Sequence, residues 1–136
     1  ARYMAAAGTI MSTGITEFGG QNFNTFVPGT YRSGTSIYIG GDVTLNGEGD
    51  YVFIAGTTLT TAAKTKIILT NGAKAENVVW ALGTAATLGT GSIVEGSILA
   101  GTAITFGTNS ELHGGCAIAK TAVFFESGGV VNTISV

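Results

Sequence analysis

Apolar runs of three or four residues recur along the chain from Ser36 onward, and turn-forming Gly, Asn, Asp or Ser residues separate them. Residues 51–54, 104–106 and 123–125 are examples. Such runs are too short for the strands of an ordinary sandwich, and short strands that alternate with turns at even intervals are typical of a solenoid. The pattern therefore predicts an all-β fold built from stacked coils.

A repeat in the second half of the chain supports this prediction. Residues 84–89 (TAATLG) align with residues 102–107 (TAITFG) at an offset of 18, and residues 121–125 (TAVFF) follow at an offset of 19. A coil of about 18–19 residues that contains three strands has about six residues for each of its three sides. This is the size of a triangular β-helix turn. We expect a β-solenoid domain over residues 18–136, preceded by residues 1–17 as a helix remnant or an extended segment.

The alternation of apolar and polar positions predicts which side chains face outward. In residues 103–106 the large apolar side chains of Ile104 and Phe106 point inward, which leaves those of Ala103 and Thr105 outside. The same rule places Thr44, Thr58 and Thr87 outside. Because successive coils stack about 4.8 Å apart, we expect these threonines to form a ladder on one flat side of the solenoid.

The composition excludes several other classes of protein. The chain has 136 residues, a net charge of −2, 10% charged and 45% hydrophobic residues, and 22 Gly against one Pro. Disordered chains combine low hydrophobicity with high charge, nucleic-acid binders need a basic stripe, and collagen needs abundant Pro. No apolar run reaches the roughly 18 residues of a membrane-spanning helix. We therefore expect no nucleic-acid partner and no membrane span.

Candidates for catalysis or metal binding are few. His113 and Cys116, the only histidine and cysteine, suggest a Cys–His pair or half of a metal site. A zinc site needs three or four ligands, however, and a solvated histidine in a turn before a small buried residue is an ordinary arrangement. The acidic residues Asp42, Glu48 and Asp50 loosely resemble a calcium loop but lack the spacing of an EF-hand. We expect neither an enzyme nor a bound cofactor or metal ion.

The repeated Thr-Ala-x-Thr unit is the most informative feature of the sequence. Threonine suits strands, and an outward threonine ladder could simply keep a solenoid soluble. Charged residues would do this more effectively, yet the predicted ladder contains hardly any. A rigid, flat array of hydroxyl and methyl groups is instead suited to ordering water into an ice-like layer, because Thr and Ala lose little side-chain entropy on adsorption.

Several short motifs, in order, resemble the microbial ice-binding proteins. They are residues 27–31 (VPGTY), 43–50 (VTLNGEGD), 52–54 (VFI), 59–62 (LTTA), 77–83 (NVVWALG), 86–91 (ATLGTG) and 95–100 (EGSILA). The resemblance covers roughly residues 18–136. It implies a discontinuous, right-handed β-solenoid with a long helix along one side, which binds an ice crystal surface through one flat face. It also implies a secreted or extracellular protein.

The resemblance implies that the ice-binding face consists of the Thr-Ala/Gly-x-Thr/Asn strands. Carried over to this sequence, the face comprises Thr84, Ala85, Thr87, Thr102, Ala103, Thr105, Thr121 and Ala122, with Thr44 and Thr58 at the equivalent outward position of more divergent coils. Phe124 stands where the last copy would have its second threonine. We therefore expect the face to narrow or to be capped there.

The length of the chain leaves an alternative function open. Members of the resembled family have about 200 residues or more, so their N-terminal third is expected to be absent here or reduced to residues 1–17. An uncovered helix-docking side and open coil ends would expose apolar surface. The alternative is therefore a structural subunit of an extracellular filament or adhesin, a homo-oligomer or head-to-tail polymer. A carbohydrate-binding solenoid is disfavoured because only Trp80, in an apolar run, could stack on a sugar.

Overall fold

The computed structural model describes residues 4–5, 10–12, 16–18, 24–128 and 130–132 of the chain. These residues form nineteen short strands and one 3₁₀ turn, Ala75–Asn77. The strands are β1 (Met4–Ala5), β2 (Ile10–Ser12), β3 (Thr16–Phe18), β4 (Thr25–Phe26), β5 (Gly29–Ser33), β6 (Ile37–Ile39), β7 (Val43–Asn46), β8 (Tyr51–Ala55), β9 (Leu59–Thr61), β10 (Ile67–Thr70), β11 (Val78–Leu82), β12 (Ala86–Leu88), β13 (Ile93–Glu95), β14 (Ser97–Ala100), β15 (Ala103–Phe106), β16 (Glu111–His113), β17 (Ala117–Ala119), β18 (Ala122–Phe125) and β19 (Val130–Asn132).

Every third strand lies in the same parallel sheet, so the chain winds as a three-sided β-solenoid. The first face contains β1, β4, β7 and β10, and continues through the bridge between Lys66 and Ile93 into β13, β16 and β19. The second face is ordered β2-β5-β8-β11-β14-β17, and the third face β3-β6-β9-β12-β15-β18. This confirms the prediction of an all-β solenoid. No helix among the described residues has the length and apolarity needed to cross a membrane.

The coils differ in length more than the sequence repeat predicts. Equivalent positions on the third face are Tyr38, Thr60, Thr87, Thr105 and Phe124. Only the last two of the four intervals between them match the expected period, and the two earlier intervals are longer. In the longest coil, residues 71–77 connect β10 to β11. The equivalent connection in a later coil, between β13 and β14, is the single residue Gly96.

The N-terminal strands belong to the same sheets as the rest of the solenoid. Strands β1, β2 and β3 pair in parallel with β4, β5 and β6, which gives one strand to each face. The pairing of β3 crosses the domain boundary expected between residues 17 and 18. The described residues of the expected N-terminal segment are strand, while residues 1–3, 6–9 and 13–15 lie outside the described residues.

Aromatic side chains fill the middle of the solenoid. Alternation along the second face turns Tyr31, Phe53 and Trp80 inward, and each is fully buried. Their rings stack from coil to coil, with centroid distances of 5.5 Å between Tyr31 and Phe53 and 4.3 Å between Phe53 and Trp80. Such stacked pairs stabilise the fold beyond the burial of their area, and they tie consecutive coils together.

Glycine allows the chain to turn tightly between the second and third faces. At Gly56, Gly83 and Gly101 an added Cβ would lie closer than 3.0 Å to the backbone oxygen of the glycine one coil earlier. Each of these glycines is followed directly by a threonine. At these three corners a threonine therefore stands just before a third-face strand, namely β9, β12 or β15.

Candidate functional site

The outward positions of the third face form three parallel columns, which together we call the threonine face. The corner column contains Thr35, Thr57, Thr84, Thr102 and Thr121, which follow one another by backbone hydrogen bonds of 2.7 to 2.8 Å. The strand register gives the middle column Ser36, Thr58, Ala85, Ala103 and Ala122, and the outer column Tyr38, Thr60, Thr87, Thr105 and Phe124. Three complete Thr-(Thr/Ala)-x-Thr rungs, residues 57–60, 84–87 and 102–105, lie at the centre of this surface.

The structure places most of the predicted residues together. Nine of them lie on the threonine face: Thr58, Thr84, Ala85, Thr87, Thr102, Ala103, Thr105, Thr121 and Ala122. Thr58, however, lies in the middle column beside Ala85, and the partner of Thr87 is Thr60. The alternation of the sequence was correct about the outward direction of Thr58 but not about its column.

Thr44 is the predicted residue that lies elsewhere. It belongs to β7 on the first face, where its register partners are Thr25 and Ile68, and it is 8% exposed. The expectation that Thr44 continues the ladder of Thr87 is therefore wrong. Alternation can show that a residue points outward, but it cannot show which of three faces carries it.

Sequence reasoning missed two threonines of the three complete rungs, Thr57 and Thr60, and also the flanking rung of Thr35, Ser36 and Tyr38. The two threonines precede Thr84 and Thr87 by one coil, but this coil is the longest on the third face, so a search at the shorter period of the later coils cannot align them. A local signal was available, because a Gly-Thr pair precedes this strand just as it precedes β12 and β15.

Hydrogen bonds hold the corner threonines in place. The Thr84 hydroxyl donates to the backbone oxygen of Thr57 at 2.9 Å, and the Thr102 hydroxyl donates to that of Thr84 at 3.0 Å. Both side chains remain exposed. Since their protons are donated within the protein, these hydroxyls present acceptor lone pairs to the surroundings. Thr84 and Thr102 are therefore fixed in both position and hydrogen-bonding polarity.

No charged residue occupies the three columns between Thr35 and Phe124. In the outer column Thr87 is exposed, while Thr60 and Thr105 are partly exposed. The alanines of the middle column are partly exposed as well. No pocket occurs in the described part of the chain. Between Tyr38 and Phe124 the candidate site is therefore an uncharged sheet surface of methyl and hydroxyl groups.

A known family matches most of this chain. The family described as ice-binding-like matches residues 1–131. The chain belongs to the ice-binding-like family. It is 42% identical over 113 residues to an ice-binding protein of Nostoc sp. (strain HG1), in an alignment that covers 79% of this chain and 42% of that protein. It is 31% identical to an ice-binding protein of Flavobacterium frigoris (strain PS1), over 98% of this chain and 48% of that protein.

Solved structures agree with this assignment. The crystal structure of an ice-binding protein from the Antarctic ascomycete Antarctomyces psychrotrophicus is similar with a TM-score of 0.86 and 37% identity, over 97% of this chain and 64% of that one. An ice-binding protein from an Arctic yeast is similar with a TM-score of 0.80 and 31% identity, over 91% and 52% of the two chains. This ice-binding-like chain spans about half the length of the curated relatives it matches.

The histidine and cysteine of this ice-binding-like chain have separate surroundings. His113 lies in β16 on the first face, with its Nδ1 3.2 Å from a carboxylate oxygen of Glu95 and its Nε2 in contact with Glu111. Burial raises the pKa of Glu95, and the charge and hydrogen bond of His113 act in the opposite direction. The backbone N–H of Cys116 donates instead to Ser97 Oγ at 3.2 Å.

The other residues considered for metal or sugar binding have structural partners. Asp42 Oδ1 accepts a hydrogen bond from the backbone N–H of Lys66 at 3.1 Å. Within the described ranges, no three His, Cys, Asp or Glu side chains are arranged to hold a metal ion. Trp80 is fully buried, and its Nε1 donates to the backbone oxygen of Glu95 at 3.0 Å. A buried indole cannot stack on a sugar.

Proposed function

We propose that this chain binds an ice crystal surface through the threonine face and thereby inhibits ice growth and recrystallisation, without catalysis or a cofactor. The observation that carries the proposal is the stack of three Thr-(Thr/Ala)-x-Thr rungs on one uncharged side of the solenoid. The family and the names of the relatives support the same function. They also favour it over a filament subunit.

The spacing of the threonine face gives the proposal its physical basis. Rungs repeat about every 4.8 Å along the solenoid, and alternate residues of one strand lie about 6.6 Å apart. Hydroxyls can anchor water molecules on this grid, and the methyl groups between them exclude or cage water. Each contact is weak, so adsorption depends on many contacts forming together at little entropic cost. The hydrogen bonds of Thr84 and Thr102 reduce that cost by fixing their side chains before adsorption.

The test is ice-affinity partitioning of the purified chain and of two matched variants. Thr105→Tyr introduces a ring into the outer column of the threonine face, whereas Thr30→Tyr makes the same change at an exposed position in β5 on the second face. We expect the natural chain and Thr30→Tyr to enter a growing ice hemisphere and Thr105→Tyr to remain in the liquid. Circular dichroism and sedimentation would verify that all three proteins are folded and of equal size.

Two results would argue against the assignment. If the natural chain is excluded from ice, this chain is not an ice binder. If it enters ice and Thr105→Tyr does so equally, another face makes the contact.

We further propose that the protein acts outside the cell, where it can meet growing ice crystals. Detection of the chain in the culture medium rather than in washed cells would test this.

A further inference from the structure

The outer column of the threonine face has an aromatic residue on each side of its three threonines, and beyond Tyr38 the strand register continues it to Glu17 of β3. In the three central rungs this column is threonine, whereas Tyr38 and Phe124 occupy it in the two flanking rungs. The flanking rungs otherwise keep the pattern, because residues 35–36 are Thr-Ser and residues 121–122 are Thr-Ala. Each flanking rung therefore has threonine at the corner, a small residue in the middle and an aromatic residue in the outer position.

Both aromatic side chains are exposed on the surface. Tyr38 is 37% exposed between the buried Ile37 and Ile39, and Phe124 is 56% exposed in β18, where Phe125 is exposed as well. The ring of Phe125 stacks on Phe106 with a centroid distance of 4.6 Å. An aromatic ring extends well beyond the methyl and hydroxyl of a threonine. At these two positions the outer column therefore presents a large ring in place of the methyl and hydroxyl groups of a threonine.

We propose that Tyr38 and Phe124 delimit the ice-contacting surface and restrict its outer column to three rungs. This inference rests on the proposed function. With rungs about 4.8 Å apart, the three threonines Thr60, Thr87 and Thr105 span about 10 Å, whereas five would span about 19 Å. Individually weak contacts add up over a surface, so the number of rungs determines how strongly the face adsorbs. The two rings thus set the adsorption strength of this chain below the value that its solenoid could support.

The test replaces each ring with the residue that the pattern predicts. Each single variant, Tyr38→Thr or Phe124→Thr, extends the run of threonines in the outer column to four rungs. The double variant extends it to five. Threonine is a favourable strand residue, and neither replaced side chain is buried, so we expect the fold to persist. Ile118→Thr is the matched control, because Ile118 is also 56% exposed but lies in β17 on the second face. It removes exposed apolar surface without touching the threonine face.

The readout is the fraction captured in a growing ice hemisphere, under conditions in which ice captures part of the natural chain. With less than half of the natural chain captured, we expect each single variant to increase this fraction. Because contact energies add, we expect the double variant to increase it by at least about 1.7-fold, the ratio of five rungs to three. Ile118→Thr should leave it unchanged. Tyr38 and Phe124 lie in different coils. If one single variant fails to fold, the other still tests the proposal.

Three results would overturn the proposal. An unchanged or lower fraction for the folded variants would mean that the aromatic residues do not limit the contact. An equal gain for Ile118→Thr would mean that surface apolarity, not the length of the column, controls capture. Exclusion of the natural chain from ice would refute the proposed function and this boundary together, whereas capture of the natural chain without a gain in the variants would refute the boundary alone.

Discussion

Replacing Gly83 with alanine should destabilise the solenoid by a steric clash between two coils. The added Cβ would lie closer than 3.0 Å to the backbone oxygen of Gly56 in the preceding coil. That coil cannot easily move away, because Gly83 donates to the backbone oxygen of Ala55 at 3.0 Å and Thr84 donates to that of Thr57 at 2.8 Å. Gly83 does not have a positive φ, so the clash is the only conformational objection to alanine.

The expected magnitude follows from two opposing effects. Replacing glycine with alanine stabilises a protein by about 0.4–1 kcal/mol through the unfolded state when the native site accepts the side chain. Forcing an extra carbon into a closely packed site costs about 1–3 kcal/mol and occasionally more. Because backbone on both sides of Gly83 is hydrogen-bonded, we expect the upper end of that range and a net loss of about 2 kcal/mol. For a domain of this size the loss lowers Tm by about 8 °C.

Chemical and thermal unfolding would measure this loss. Ala81→Ser is the control, since it also adds one heavy atom but at a partly exposed, outward position of β11, and we expect it to change stability by less than about 0.5 kcal/mol. Capture of Gly83→Ala in ice should also fall, because displacement of this corner shifts Thr84. A Tm within about 2 °C of the natural chain would refute the reasoning, because it would mean that the corner accommodates a side chain.

The remaining predictions concern the first face. Thr44→Val should leave capture in ice unchanged because Thr44 lies on that face and is only 8% exposed, and a loss comparable with that of Thr105→Tyr would contradict the assignment of the threonine face. Glu95 has a raised pKa, so it binds a proton more tightly in the folded state than in the unfolded state. Its contribution to stability is therefore complete below the ordinary value of 4.5 and is lost as pH rises through the raised pKa. Glu95→Gln should flatten this decline in the free energy of unfolding as pH rises above the ordinary value of 4.5, and an unchanged slope would contradict it.

Local patterns in the sequence were sufficient to predict the type of fold and part of the candidate site. The repeated TAATLG and TAITFG segments predicted stacked coils, and the structure places them in adjacent parallel strands, with Thr87 opposite Thr105. The apolar alternation also predicted correctly that Ile104 and Phe106 are buried. These predictions succeeded because a strand alternates with a period of two residues, and because the last coils keep nearly constant length.

The earlier coils could not be aligned in the same way. Between Thr60 and Thr87 the chain includes the connection 71–77, which interrupts the repeat without disturbing the strands that it joins. The register of Thr57 and Thr60 was therefore not predictable from the repeat. Thr44 was also grouped with the wrong face. Each error has the same origin, because a connection can gain residues at a corner while the strands on either side remain paired.

The sequence alone determined that this protein is a β-solenoid with outward threonines, since strand periodicity and the Thr-Ala-x-Thr repeat are local properties of the chain. Only the tertiary structure decided which threonines share a surface. Hydrogen bonds between coils set that register, as in the pairing of Thr60 with Thr87, and the stack of Tyr31, Phe53 and Trp80 keeps the coils aligned. Tertiary structure likewise brought Tyr38 and Phe124, which are distant in the sequence, into one column on either side of its three threonines. Contacts between coils join residues far apart in the chain, so their positions depend on the length of every intervening connection.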